Sequence, residues 1–284
     1  MCKKKYNVSI VCANYNNGKY LDEFINGVLN SSVFPKELII IDDGSTDKSL
    51  EVLSHYKLDY LKVISLKKNI GFANALNVGI KESTGKYVLR VDPDDILGKY
   101  RIEKQFDFLE KNQDIDITGS NVVYFNEKLE NIVGASNFPQ EYEVIYNRYT
   151  RGEHGLLHGS VMGKRTLFSK YLYCQDNVPA EDYDIFSRMM KGGAKAKSVS
   201  DKLTFVRIHQ NSISNALPFS TVKKTYTLRD EIFKTKTYLF KIVINYISLK
   251  YYRKYYFEKN KFKKILFLAV SSIFRPDKAL KKVL

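Results

Sequence analysis

Cysteine is scarce in this chain. Three are spread over 284 residues, Cys2, Cys12 and Cys174, an odd number without paired or metal-like spacing. That excludes a disulfide-stapled miniprotein and a cysteine-built structural metal site, and it suits a reducing compartment. Long apolar runs are missing too: the longest, within ILFLAVSSIF near the C-terminus, is about half of the roughly 20 residues that a spanning helix needs. Such a stretch can lie on a bilayer but is not expected to cross one. The N-terminal MCKKKYNVSIVC passes straight into strand and turn signals, so a cleavable signal peptide is not expected and the protein is read as cytoplasmic. Internal repeats, low-complexity stretches and Gly/Ser linkers are likewise lacking. One large domain, or one domain with an appendage, fits the length.

What is present points first to a core and then to a charged appendage. With 44 % apolar residues the chain can bury a full core. Net charge is +15, yet residues 1–217 carry 29 Lys and Arg against 27 Asp and Glu, whereas residues 218–284 carry 17 against 4. Such asymmetry marks a near-neutral globular part joined to a segment for an anionic partner, either nucleic acid or an acidic membrane surface.

The first hundred residues alternate short β-branched runs with helical patterns, the signature of βαβ units and a mainly parallel sheet. Val8 to Cys12, Leu38 to Ile41, Tyr60 to Ile64 and Tyr87 to Val91 read as buried strands, being short, continuously apolar and bounded by turn residues. Leu21, Phe24, Ile25, Val28 and Leu29 recur at three and four residues, Phe72, Leu76 and Ile80 at every fourth, and a third set is Ile102, Phe106 and Leu109. Each set fits one buried helix face. Two strands are expected around Ile115 to Thr118 and Asn121 to Phe125. From about 126 to 217 the pattern is less regular, with strand-like pieces near Ile132, Val161 and Phe205 and a short helix from Asp182 to Met190. After Pro218 the chain reads as helical and basic.

In an open α/β sheet the ligand crevice lies at the carboxyl ends of the strands, and three such ends carry unusual residues. The first strand runs into Ala13-Asn14-Tyr15-Asn16-Asn17-Gly18, where a ring among small neighbours suits stacking on a base. The second ends in Asp42-Asp43-Gly44-Ser45-Thr46-Asp47. A carboxylate there can accept the N–H of a uracil-like ring while Ser45 or Thr46 caps the next helix, although an ordinary Asx turn with an N-cap accounts for the same residues. The fourth runs into Arg90-Val91-Asp92-Pro93-Asp94-Asp95. Three carboxylates packed so closely are costly unless a cation or several donors offset them, so magnesium or manganese is the natural partner. A solvated turn, with Asp95 as a helix cap, is the plainer alternative.

Together these segments resemble the inverting glycosyltransferases of family 2, whose nucleotide-binding fold is called GT-A. The resemblance spans approximately residues 7 to 215 and follows the family's order: VSIVCANYN, IIIDDGSTD, NIGFANALNVGI, LRVDPDD, HGSVM, AEDYDIF and VRIHQNSIS. It implies an α/β fold, a Rossmann-like central mixed sheet flanked by helices, with a nucleotide-sugar half over about 1–125 and an acceptor half over about 126–217; the charge and helical pattern add a basic helical extension over 218–284. It implies sugar transfer from a nucleotide-sugar, expected to be a UDP-sugar, to a hydroxyl of a saccharide or lipid-linked saccharide in cell-surface glycan synthesis. Carried over by motif, Tyr15 and Asp43 would hold the uracil beside Ala13, with Asp42 as a helper, and Asp92 would reach the ribose. Asp94 would coordinate a divalent metal, Mn2+ or Mg2+, with His209 completing the metal shell or touching the diphosphate, accompanied by Arg207. Asp182, next to Glu181, would be the general base, although Asp is also favoured at a helix start. His158 would line the acceptor site or make a structural hydrogen bond. Two departures from the pattern are Ala13, where Pro is common, and Leu76 before Asn77, where Arg is common.

The resemblance does not extend into the tail. There Tyr251, Tyr252, Tyr255, Tyr256 and Phe257 alternate with Arg253, Lys254, Lys259, Lys261, Lys263 and Lys264, which suits a headgroup boundary. The expected location is therefore peripheral, on the inner face of an anionic membrane; a solvated helical pair packed on the domain or on a second subunit is the alternative. Binding of nucleic acid also suits cations mixed with aromatics, but acidic groups in the crevice would repel a polyanion. A nucleotidyltransferase or a degenerate sugar-nucleotide-binding module would keep the fold and leave Asp182 without a task.

Overall fold

The computed structural model describes residues 3–208, 218–258 and 260–275. These form two compact units, one up to residue 208 and one from residue 218, and each is taken by itself.

The first unit is built on one sheet. Its elements are β1 (Lys5–Asn14), α1 (Gly18–Leu29), β2 (Phe34–Asp42), α2 (Ser49–Ser54), β3 (Leu61–Ser65), α3 (Phe72–Glu82), β4 (Tyr87–Arg90), β5 (Ile96–Leu97), α4 (Arg101–Lys111), β6 (Ile117–Asn126), β7 (Ile132–Ala135), α5 (Tyr142–Thr150), β8 (Met162–Lys164), α6 (Arg165–Lys170), α7 (Glu181–Lys191) and β9 (Ala196–Ile208). Strand order is β3-β2-β1-β4-β8-β6-β9-β5, with β7 paired to β6. The first four strands are parallel to one another. That arrangement needs crossover helices, and the apolar faces expected on α1 and α3 supply them. Beyond β4 the sheet turns mixed: β8 runs antiparallel to both β4 and β6, while β6 and β9 are parallel.

The central strands are buried on both faces, which is why they read as unbroken apolar runs. Val8, Ile10 and Cys12 of β1, Leu38 and Ile40 of β2 and Tyr87 and Leu89 of β4 form one core with Leu21, Phe24, Ile25 and Val28 of α1 and Ile102 and Leu109 of α4. Three local expectations shift. The two strands around 115–118 and 121–125 are a single strand, β6, which continues across Gly119 and Ser120 with a register shift against β9. Tyr60 falls outside β3, to which only Leu61 onward belongs. The helix after β2 starts at Ser49, and Asp47 rather than Ser45 or Thr46 takes its first free donor, accepting the Ser49 N–H at 2.9 Å.

The second unit holds α8 (Phe219–Phe233), α9 (Leu239–Phe257) and α10 (Lys261–Phe274). Asp230 organises the turn after α8, accepting from Thr235 Oγ1 at 2.8 Å and Thr237 N at 2.6 Å. Val222, Tyr226 and Ile242 form a small core. Asn260 caps α10 by accepting the Phe262 and Lys263 N–H groups at 3.0 and 3.2 Å. Helices α9 and α10 pack antiparallel: the buried Ser248 and Ser271 hydroxyls meet at 3.1 Å, and Asn245 accepts from Arg275. Among the described residues, no helix is long and apolar enough to cross a membrane.

One close approach sets the seat of β4. Gly85 donates its N–H to Ser9 Oγ at 2.8 Å, and a Cβ on it would lie 2.6 Å from Ser9 N in the backbone of β1. Gly85→Ala is therefore expected to cost about 1–3 kcal/mol by overpacking. Urea unfolding should show a lower midpoint at unchanged slope.

Candidate active site

The parallel register brings the ends of β1, β2 and β4 to one edge, with Asn14 beside Asp42 and Val11 beside Arg90. The first two ends are stitched together. Asp42 is fully buried; it accepts from Asn14 Nδ2 at 2.8 Å and from Ser45 N at 2.9 Å. Asn16 sits in the left-handed region at φ 55° and accepts from Thr46 N at 2.8 Å, a conformation that Asn tolerates better than most residues. Asp43, also buried, accepts the N–H groups of Ile70 and Gly71 at 2.8 and 3.0 Å. Its carboxylate thus shapes the loop before α3 and keeps further lone pairs. Tyr15 is 46 % exposed at this edge, whereas Ala13 is buried. Asp42, with no exposed surface, acts here by holding the two strand ends together.

The end of β4 is a buried charge cluster. Arg90 is buried, paired with Asp92 and stacked 5.2 Å from the centroid of Phe72. Burial works against its charge, but Asp92 more than compensates and drives the guanidinium further above its ordinary value. Asp95 is buried and accepts the Arg207 N–H at 3.0 Å. Burial, then the charges of Asp94 and Asp92, push its carboxyl well above the usual range. The Arg207 side chain is itself enclosed: it donates to the carbonyls of Asp94 and Glu127, pairs with Glu23, and lies 4.8 Å from Tyr20 and 4.6 Å from Phe125. Arg207 is thus a clamp on the backbone of the Asp94 loop.

The turn at 158–160 closes against this cluster. A Cβ on Gly159 would lie 3.1 Å from Asp92 Oδ2 and 3.3 Å from both Arg90 Nη1 and Asp95 Oδ2. His158 Nε2 meets Tyr173 Oη at 2.7 Å, with its ring edge-on to Phe72 and Phe186. Burial and then the Arg90 charge push its pKa down to about 3, so it is a neutral imidazole near pH 7. At the start of α7, Glu181 is buried and its Oε2 has no hydrogen-bond partner among the described residues. Burial and the neighbouring Asp182 charge push it up to about 7. Burial also works against ionising Asp182, but His154 Nε2 lies 3.3 Å from each of its carboxylate oxygens, and the net effect holds Asp182 below the ordinary range. Two adjacent carboxyls are thereby split, one ionised and one poised near neutrality.

Asp92, Asp95, Arg90, His158, Glu181 and Asp182 therefore share one electrostatic neighbourhood, to which Asp94 contributes charge. His209 lies outside the described residues. Sequence reasoning passed over two contributors, Arg90 and His154. The first was visible as a cation ending an apolar strand; the second had no local signal, because its partner is 28 residues away. Among the described residues no group of three or more His, Cys, Asp and Glu could hold a metal by itself. The donor chemistry nonetheless fits a magnesium or manganese ion, which takes one or two carboxylates plus phosphate oxygens. Asp94 and Asp92 add to burial in raising Asp95, and a cation bound here would offset that part of the effect.

Comparison with known proteins shows the family and the fold. The family model described as glycosyl transferase family 2 matches residues 9–172. An uncharacterised glycosyltransferase of Haemophilus influenzae is 32 % identical over 255 residues, covering 85 % of this chain and 79 % of that protein. Among solved structures, S. aureus TarS 1–349 in complex with UDP-GlcNAc superposes with a TM-score of 0.63 at 18 % identity, covering 95 % of this chain and 92 % of that one. The mannosyltransferase PcManGT of Pyrobaculum calidifontis, in complex with GDP-Man and Mn2+, gives 0.60 at 14 % identity, covering 99 % and 78 %. At such identities these two likenesses bear on the fold alone.

The raised Glu181 has a stability consequence. Its folded-state pKa of about 7 lies above the ordinary 4.5, so its contribution is fully present below about 4.5 and is lost as pH rises through about 7. Glu181→Gln is expected to gain on the order of 2–3 kcal/mol over wild type at pH 8 and almost nothing at pH 4. Thermal or urea unfolding at the two pH values checks this; an equal effect at both would remove the buried-charge assignment.

Proposed function

Because the chain belongs to glycosyl transferase family 2, we propose that it is an inverting enzyme carrying a sugar from a UDP-sugar to a hydroxyl of a saccharide or lipid-linked saccharide. The observation that carries this reading is the ionised Asp182, held by His154 in the same neighbourhood as the Arg90–Asp92 cluster at the carboxyl ends of the parallel strands. A base for an acceptor and a polar cradle for a diphosphate donor thus face one region.

In this reading Tyr15 stacks on the base, Asp43 accepts a base N–H with the lone pairs that Ile70 and Gly71 leave over, and Asp92 reaches the ribose. Asp94, with His209 by sequence position, would hold the divalent metal, which supplies Lewis-acid stabilisation of the leaving diphosphate. Asp182 takes the acceptor proton late, as the oxygen bonds to the anomeric carbon and its hydroxyl becomes acidic. The bond to the nucleoside diphosphate breaks with its electron pair leaving on the phosphate oxygen. Neutral His158 adds hydrogen-bonding capacity without further charge, and Glu181, near half-protonation, can donate or accept a proton. The uridine reading rests on the motif carry-over at Tyr15 and Asp43; the same fold holds UDP-GlcNAc in TarS and GDP-Man in PcManGT, so a guanosine donor is the competing case. The basic second unit suits an acidic membrane surface, where a lipid-linked acceptor would be met.

Two substitutions separate binding from chemistry. Asp94→Ala should keep the fold, since it removes repulsion, and should abolish the part of UDP affinity that depends on Mn2+. Calorimetry with UDP, run with and without the metal, reads this, and unchanged metal-dependent affinity would overturn the assignment.

Asp182→Asn should leave UDP affinity within about twofold and lower transfer by roughly two orders of magnitude or more. His154→Gln should act differently, moving the acid limb of the pH–rate profile to higher pH, because the group that holds Asp182 low is gone. Transfer by Asp182→Asn at near wild-type rate would place the base elsewhere.

A further inference from the structure

The tail tyrosines singled out by composition are not the most exposed apolar residues of the second unit. Tyr251, Tyr252, Tyr255 and Tyr256 are half-buried. Tyr251 packs on Phe267 at 6.0 Å, Lys254 covers both of those rings, and Lys264 covers Tyr255 at 5.2 Å. These groups hold the α9–α10 hairpin together. A continuous exposed apolar surface lies on the other side of α10: Phe262 is 86 % exposed, Ile265 67 %, Leu266 58 % and Ile273 74 %, with Ala269 exposed between them, while Tyr238, Leu239, Phe240 and Val243 form a separate exposed group at the start of α9. Spacings of three and four residues make this one stripe along the helix. It lies opposite Phe267 and Ser271, which face α9.

Helical phase places Lys261 and Lys263 on the two flanks of that stripe, and α10 contains no Asp or Glu. Apolar rings and aliphatic chains between two cationic rims match the boundary between acyl chains and anionic headgroups, where lysine stems reach outward to phosphate. A second copy is the weaker occupant. A two-fold contact through this face would set lysine rims against each other. Nucleic acid would meet the cations but leave the apolar stripe unburied.

We propose that the stripe Phe262–Ile265–Leu266–Ala269–Ile273 inserts in plane into an anionic bilayer, with Lys261 and Lys263 on its headgroups. This rests on reading the second unit as a membrane-docking element, and it does not depend on the transferase chemistry. It assigns insertion to α10 rather than to the tyrosine-rich α9.

The chain contains no tryptophan, so Leu266→Trp in the full-length protein introduces a single indole on the stripe. With vesicles of equal parts phosphatidylglycerol and phosphatidylcholine, its emission should shift to the blue and be quenched by acyl-brominated lipid. Ile265→Asp with Leu266→Asp should weaken co-sedimentation at least roughly tenfold, and Lys261→Gln with Lys263→Gln by roughly tenfold at low salt, less so as salt rises. All variants should keep wild-type circular dichroism and UDP affinity, because the changes lie on exposed positions of the second unit. An unshifted indole on bound protein, or an aspartate pair that sediments like wild type, would overturn the proposal. So would wild-type protein that ignores the vesicles, or a dimer in solution that the aspartate pair dissolves. Loss of UDP binding in the wild type would instead count against the transferase reading, leaving the vesicle result to stand alone.

Discussion

The candidate site depends on one buried cation. Arg90 ends β4 with its guanidinium enclosed, paired to Asp92 and laid over Phe72. A charge in that position is tolerable only with an ion partner, and the ring over which it lies adds a quadrupole that favours it. In return it acts on the groups around it: it favours the charged forms of Asp95 and Glu181, against the burial that raises both, and it disfavours protonation of His158. The neighbouring Arg101 is the second support, donating to the Arg90 carbonyl at 2.8 Å while burial pushes its own pKa down to about 9. Removing the Arg90 charge would favour the protonated forms of Asp95 and Glu181 further.

The two halves of the sheet divide the labour. Four parallel strands end at one edge, so backbone register alone delivers Tyr15, Asp43 and the Asp92–Asp94 turn to a common place. The mixed half brings elements from far along the chain. The turn carrying His158 precedes β8, which runs antiparallel to β4, and β9 delivers Arg207 to the backbone of the Asp94 loop. Asp182 stands in the first turn of α7, where the helix N-terminus favours its negative charge, and His154 adds a partner from the loop after α5. The proposed base and the proposed donor cradle thus stand on different halves of the sheet.

The second unit illustrates a different economy. Its cations are engaged with aromatic faces inside the hairpin at several points, at Lys250 over Tyr246 as well as at Lys254 and Lys264. The net positive charge is therefore structural in part, covering rings that a three-helix unit of this size cannot bury completely. The apolar surface that remains exposed falls in two groups, one at Tyr238–Phe240 and Val243 at the start of α9 and the other along one face of α10, and the second forms a continuous stripe of the kind that marks a contact surface.

Much of this could be read from the sequence. The buried strands announce themselves as short apolar runs because both of their faces are covered, and α1, α3 and α4 follow from periodic apolar faces; such signals are local and survive without the fold. The motifs placed Asp43, Asp92, Asp94, Glu181 and Asp182 as candidates for the same reason, each being a polar cluster at a strand end or helix start. Only the tertiary structure decided what those carboxyls experience. Asp42 and Asp43 look equivalent in sequence, yet one is sealed between two strand ends and the other grips the loop before α3. Glu181 and Asp182 are adjacent, yet one is raised toward neutrality and the other held low by an imidazole from another element. In the tail, composition named the aromatics but not the side they face. Protonation and exposure are set by neighbours distant along the chain, and a linear pattern carries no record of those distances.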